Sequence, residues 1–72
     1  MRAAEIREMS STEIEERLEE SREELWNYRF KHATNQLDNT SQIRSVRKVV
    51  ARLKTVLRER EIWAEYEAAQ EV

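Results

Sequence analysis

The chain has 72 residues, 39% of them charged, with 13 basic and 15 acidic side chains and no glycine, proline or cysteine. At this length it is at most one domain with a small core. The missing residues exclude a disulfide framework, a thiolate metal site or cysteine nucleophile, a glycine-rich phosphate loop and the usual turn chemistry of a β-rich fold, leaving a small all-α protein.

No apolar run exceeds three residues, as in Val49-Val50-Ala51, against about 20 for a membrane span. The opening residues Met1-Arg2-Ala3-Ala4-Glu5-Ile6-Arg7-Glu8 lack the apolar block of a signal peptide. With the missing cysteines, these features predict a cytoplasmic location. The net charge of −2 conceals three blocks. Residues 1–24 hold four arginines and nine glutamates, a net of −5. Residues 25–60 hold nine basic groups against Asp38 and Glu59, a net of +7. Residues 61–72 hold four glutamates and nothing basic, a net of −4. A basic middle between acidic ends says more about partners than the near-neutral total does.

In chain order, Ala3, Ile6 and Met9 are three apart and predict a short helix over 3–9. Ser10-Ser11-Thr12-Glu13 has the form of a capping box, the Ser10 hydroxyl accepting from the Glu13 amide while the Glu13 carboxylate reaches back. The glutamates that follow suit the positive end of a helix dipole. A long helix is predicted over 11–37, with Ile14, Leu18 and Leu25 on one stripe and Ser21 a weak link in it. Trp26, Phe30, Ala33 and Leu37 form a second set, roughly 100–140° around the helix, which calls for cover from elsewhere.

Asp38-Asn39-Thr40-Ser41 is the one internal cluster of turn and cap residues, and it predicts a turn over 38–41. A second helix is predicted over 42–66, leading into an acidic tail over 61–72. Its Ile43, Val46, Val50, Leu53 and Leu57 repeat at steps of three and four, the spacing of a coiled-coil seam, widened by Val49 and Val56. Two long helices and a short turn predict a single all-α domain, 1–72: an antiparallel two-helix hairpin with a short N-terminal helix. With the turn centred near Asn39-Thr40, Val46 would face Ala33, Leu53 would face Leu25-Trp26, and Ile62-Trp63 would return opposite Ile14 to Arg17.

On the second helix, Arg44, Arg47, Lys48, Arg52, Lys54 and Arg58 fall within about 80° either side of Arg44, while the apolar set occupies the opposite side. Solvated helix faces usually mix charge signs for i,i+4 support. No acid stands between Arg44 and Arg58 in the chain, and arginine, the better bidentate phosphate partner, outnumbers lysine four to two. The pattern points to a polyanion. Arg29 and Lys31 add positive charge near the end of the first helix, and Asn39, Thr40 and Ser41 offer short polar groups for phosphate or ribose. A membrane surface is disfavoured because the apolar side is committed to the hairpin.

Catalytic chemistry is absent from the pattern. His32 is the sole histidine and Arg29 stands where a di-iron Glu-x-x-His motif needs glutamate. Glu16, Glu20 and Glu24 are i,i+4 neighbours but have Arg17 and Arg22 among them, and read as a solvated capping face. Trp26, Tyr28 and Phe30 read as packing residues before base-stacking ones. No nucleophile–base pair assembles, and no metal, cofactor or small-molecule substrate is expected.

The stretch Leu25-Trp26-Asn27-Tyr28-Arg29-Phe30, then Ala33-Thr34-Asn35-Gln36-Leu37-Asp38-Asn39-Thr40-Ser41, then Ile43-Arg44, Val46-Arg47-Lys48, Ala51-Arg52-Leu53, Thr55-Val56-Leu57 and Arg58-Glu59-Arg60 resembles the L29 family of large-subunit ribosomal proteins. The resemblance covers about residues 1–60 and is most specific from Gln36 to Leu57. It implies a helical hairpin bound to large-subunit rRNA near the mouth of the polypeptide exit tunnel. The twenty-third large-subunit protein would be its neighbour, and trigger factor and the signal recognition particle would dock nearby. Carried over by position, the RNA-facing candidates are Arg29, Gln36, Asn39, Thr40, Arg44, Arg47, Lys48 and Arg52. The chain departs from the family at Asn35, where glycine is common, at Gln42, where a basic residue is common, and in its continuation past the usual end. That acidic continuation would point away from RNA, fold back through Ile62 and Trp63, or meet a basic protein. The rival readings are an interaction module that forms a homodimeric four-helix bundle without nucleic acid, and a small mutase of swapped hairpins. The mutase is disfavoured because the arginines lie opposite the seam.

Overall fold

The computed structural model describes residues 1–36 and 39–70. Among these residues it holds three helices and no strand: α1 (Ala3–Arg7), α2 (Ser11–Ala33) and α3 (Ser41–Gln70). α2 and α3 pack as an antiparallel hairpin, with α1 laid on α3, in a rod of 56 × 19 × 16 Å. No described helix is long and apolar enough to cross a membrane.

Of the expected seam, Val46, Val50 and Leu53 are buried, Leu57 is half-buried, Ile43 is not part of the core cluster, and Val56, expected only to widen the stripe, is buried in it. Val46, Val50, Leu53 and Val56 of α3 bury against Ile14 and Leu18 of α2 and Ile6 of α1. Ile6, Ile14 and Leu53 have no exposed surface at all. Ser21 is buried at the weak position of the α2 stripe, where a small side chain lets α3 approach. Leu25, Tyr28, Val49 and Leu57 are half-buried around this core.

α1 is too short to persist as a helix alone and is pinned from α3. Ile6 supplies the apolar anchor. The Arg60 guanidinium donates to the Met9 carbonyl (2.6 Å), the Arg7 carbonyl (3.2 Å) and the Ser11 hydroxyl (2.9 Å), satisfying carbonyls where α1 ends. Arg52 Nη1 donates to the Met1 carbonyl (2.7 Å), and Arg7 pairs with Glu59 at 3.5 Å. Ser10 caps α2 by accepting from the Glu13 amide (3.2 Å).

Several boundaries differ from expectation. α1 ends at Arg7 rather than residue 9, because the amides of Glu8 and Met9 turn back onto the Glu5 and Ile6 carbonyls. α2 ends at Ala33 rather than 37. Thr34 Oγ donates to the carbonyls of Phe30 (3.1 Å) and Lys31 (3.2 Å), and Asn35 takes a left-handed φ of 59°. The Asn35 amide then bonds His32 O (3.1 Å) and the Gln36 amide bonds Lys31 O (2.7 Å), the paired bonds of a Schellman ending. Leu37 and Asp38 lie outside the described residues, as do Glu71 and Val72 of the tail. α3 starts at Ser41, where the Asn39 carboxamide oxygen accepts from the Ser41 amide (2.9 Å), and runs to Gln70 rather than 66.

The connection is therefore longer than the 38–41 turn, and the register moves with it. Ala33 and Ser41 flank it, so opposed positions sum to about 74. Leu25 shares a depression with Val50, Ala51 and Lys54. Ile62 and Trp63 do not fold back onto α2 and are 51% and 62% exposed. The seam steps past Leu57 fall on Arg60 and Ala64, not on Ile62 or Trp63.

Asn35 sets where α2 stops. Asn35→Val, forcing a β-branched residue into the left-handed region, lowers stability by about 1–2 kcal/mol. Asn35→Gly is close to neutral, because relief of backbone strain offsets glycine's extra unfolded-state entropy. Urea denaturation of the purified chain measures both. Arg60→Met keeps the stem and removes the guanidinium bonds to the α1 end, costing about 1.5–3 kcal/mol. Faster amide exchange over residues 3–11 accompanies that loss.

Candidate nucleic-acid interface

α3 rises about 1.5 Å per residue, so Arg44 to Lys54 spans about 15 Å of its outer side. Three shallow depressions run along it. One of about 490 Å³ is lined by Thr40, Ile43, Arg44, Arg47, Lys48 and Ala51. The next, about 260 Å³, is lined by Leu25, Arg29, Arg47, Val50, Ala51 and Lys54. A third, about 420 Å³, is lined by Lys54, Thr55, Arg58, Glu59 and Ile62. Shared walls at Arg47 and Lys54 make them one trough, and Arg29 of α2 joins it.

The twelve candidate residues do not stand alike in this surface. Arg29, Arg44, Arg47, Lys48 and Lys54 line the trough, and no acidic partner pairs with them among the described residues. Thr40 closes its near end. Arg58 lines the far end, but pairs with Glu61 at 3.0 Å. Arg52 is turned the other way, toward the N-terminus, with its guanidinium on the Met1 carbonyl. Lys31 follows Arg29 by two residues, about 200° around α2, and lies off the trough. Asn39 and Ser41 are engaged with each other at the start of α3. Gln36 is exposed in the connection, where its backbone N–H donates to the Lys31 carbonyl.

Trp26 and Phe30 are not packing residues in this chain. They are 65% and 55% exposed and stack on one another, ring centroids 5.7 Å apart and 12° from coplanar. Their offset from the seam was visible in the spacing, whereas their mutual stacking was not. Tyr28, by contrast, is half-buried against the core. Sequence reasoning also missed Arg60, whose signal was its place as the next seam step after Leu57. Among the described residues no cluster of histidine or carboxylate side chains could hold a metal.

The family model described as "Ribosomal L29 protein" matches residues 4–60 of the chain. Over 62 residues the chain is 60% identical to the large ribosomal subunit protein uL29 of Staphylococcus aureus strain JH9, a span covering 86% of this chain and 90% of that protein. The same figures hold for the large ribosomal subunit protein uL29 of Staphylococcus carnosus strain TM300.

Beside this surface, the Tyr28 hydroxyl donates to the Glu24 carboxylate at 3.0 Å. That hydrogen bond, followed by partial desolvation and the carboxylate's charge, raises the phenol above its usual value of 10.0. The folded chain thus holds this proton more tightly than the unfolded one. The resulting stabilisation is complete at neutral pH and is lost as pH rises through the raised folded value. In an alkaline titration followed by the NMR signals of the Tyr28 ring, Glu24→Gln shifts the transition down toward the usual value.

Proposed function

The chain belongs to the ribosomal L29 protein family, and from that premise we propose that the outer side of α3 binds large-subunit rRNA beside the polypeptide exit tunnel. Membership makes it a structural constituent of the large ribosomal subunit, located on the ribosome in the cytoplasm, and not an enzyme.

The observation that carries the RNA reading is the trough itself. Five cations from two helices converge on it, and no carboxylate pairs with them among the described residues. Held on a rigid seam, such a row neutralises phosphates without an ordering cost for the helix. The open, shallow shape suits a backbone and carries no pocket for a single base, so affinity comes from phosphate contacts. The exposed Trp26–Phe30 stack offers a flat apolar surface for an unpaired base or a neighbouring protein. In this reading the neighbour is the twenty-third large-subunit protein, with trigger factor and the signal recognition particle meeting emerging chains close by.

Filter binding of the purified chain to a large-subunit rRNA fragment tests this directly. With about five phosphates neutralised, affinity falls roughly 500-fold between about 50 and 200 mM salt. Arg44→Gln, Arg47→Gln and Lys48→Gln each weaken binding and lower the salt slope by about one unit. Arg52→Gln acts on stability before it acts on RNA. A flat salt dependence, or binding unchanged in the triple variant, overturns the reading. The exposed aromatic pair also favours, as a second reading, a homodimeric four-helix bundle. A stable dimer by light scattering, with no RNA affinity, would support it.

A further inference from the structure

The last turns of α3 carry a surface that rRNA binding leaves unused. The family match ends at residue 60, while α3 continues to Gln70. Arg60 already bonds the Ser11 hydroxyl and the Met9 carbonyl at the start of α2, so the last turns of α3 run beyond the N-terminal end of that helix. Glu59, Ile62, Trp63 and Tyr66 line an open depression of about 380 Å³ here. The Trp63 and Tyr66 rings meet edge to face, centroids 5.5 Å apart, and Tyr66 is 54% exposed. At about 100° per residue, Ile62, Trp63 and Tyr66 form one stripe, roughly 130° from the seam. Glu67 stands about 90° to one side of that stripe and Glu65 about 110° to the other.

The carboxylates along this stretch are not equivalent. Glu59 pairs with Arg7 and Glu61 with Arg58. Glu65 and Glu67 have no ion-pair partner among the described residues, and residues 61–72 contain nothing basic. The result is an apolar row flanked by two free negative charges.

We propose that this stripe is a docking site for a basic amphipathic polypeptide segment. Its apolar side chains would seat on Ile62, Trp63 and Tyr66 while its lysines or arginines pair with Glu65 and Glu67. Charge complementarity selects this occupant. An isologous dimer through this stripe would press Glu65 and Glu67 against their own equivalents, and RNA would be repelled by them. The apolar anchors supply affinity as helix-in-groove contacts do, while the flanking carboxylates set sign selectivity. The depression shared by Lys54, Arg58 and Ile62 joins this stripe to the cationic trough, so the sign of charge reverses along one side of a single helix.

The test is fluorescence anisotropy of a labelled amphipathic helical peptide of lysine and leucine titrated with the full chain. Peptides with glutamate for lysine, and with the same residues scrambled, are the comparisons. The lysine–leucine peptide binds, and the glutamate and scrambled peptides do not. The double variant Trp63→Ala/Tyr66→Ala weakens binding about tenfold or more. Glu65→Lys with Glu67→Lys, which leaves the rings in place, transfers preference to the glutamate peptide. If circular dichroism shows helix lost in the alanine variant, the charge-reversed variant decides alone. Equal binding of all three peptides, or no transfer of preference on charge reversal, overturns the proposal. So does a dimer in sedimentation that the alanine variant abolishes, or displacement of the peptide by the rRNA fragment. Arg44→Gln, Arg47→Gln and Lys48→Gln leave peptide binding intact, which separates this outcome from the fate of the rRNA reading.

Discussion

The structure depends on one apolar stripe of α3 serving two partners at once. Leu53 has no exposed surface because Ile14 of α2 and Ile6 of α1 belong to the same buried cluster. A two-helix layer has only this seam to bury, and every other face of each helix meets solvent or a partner. That geometry explains how a rod with 39% charged residues still has a defined interior. It also frees the opposite side of α3 from any packing duty.

Arginine on α3 divides between two tasks according to its angle from that stripe. Arg60 follows the seam, so its stem lies against the core and its guanidinium reaches the end of α1. Arg52 flanks the seam on the side of the N-terminus and ties the Met1 carbonyl. Arg44 and Arg47 point away and line the trough. The same residue type is a clamp or an unpaired surface cation depending on about 80–160° of rotation.

The seam and the all-α hairpin were legible in the sequence because they rest on strict three–four spacing, which composition does not blur. The end of α2 was less so. The apolar steps through Ala33 and Leu37 suggested a helix that Thr34 and Asn35 in fact terminate, through side-chain and left-handed backbone bonds that periodicity does not report. Ile62 and Trp63, expected on α2, are found exposed because the seam steps past Leu57 fall on Arg60 and Ala64 instead. The basic face was legible as a set. Its division was less so: a helical wheel does not show the Met1 carbonyl that occupies Arg52, although i,i+3 spacing does mark Glu61 as the partner of Arg58.

The two helices differ most in how their charges meet their dipoles. α2 follows the favourable rule, with Glu13 in its first turn and Lys31 and His32 in its last. α3 inverts it, with no acid in its first turn and no base in its last. Arg44, Arg47 and Lys48 crowd the positive end, and Glu65 and Glu67 approach the negative one. Within the basic half, Arg44–Lys48, Lys48–Arg52 and Lys54–Arg58 are like-charged i,i+4 neighbours, each unfavourable by about 0.2–0.5 kcal/mol. A helix carrying both penalties over its 30 residues gains when a polyanion covers its first half and a polycation its last turns, since each partner relieves repulsion and dipole together. The free chain is thus electrostatically poised for partners of opposite sign at its two ends, and its seam supplies the stiffness that keeps those ends apart.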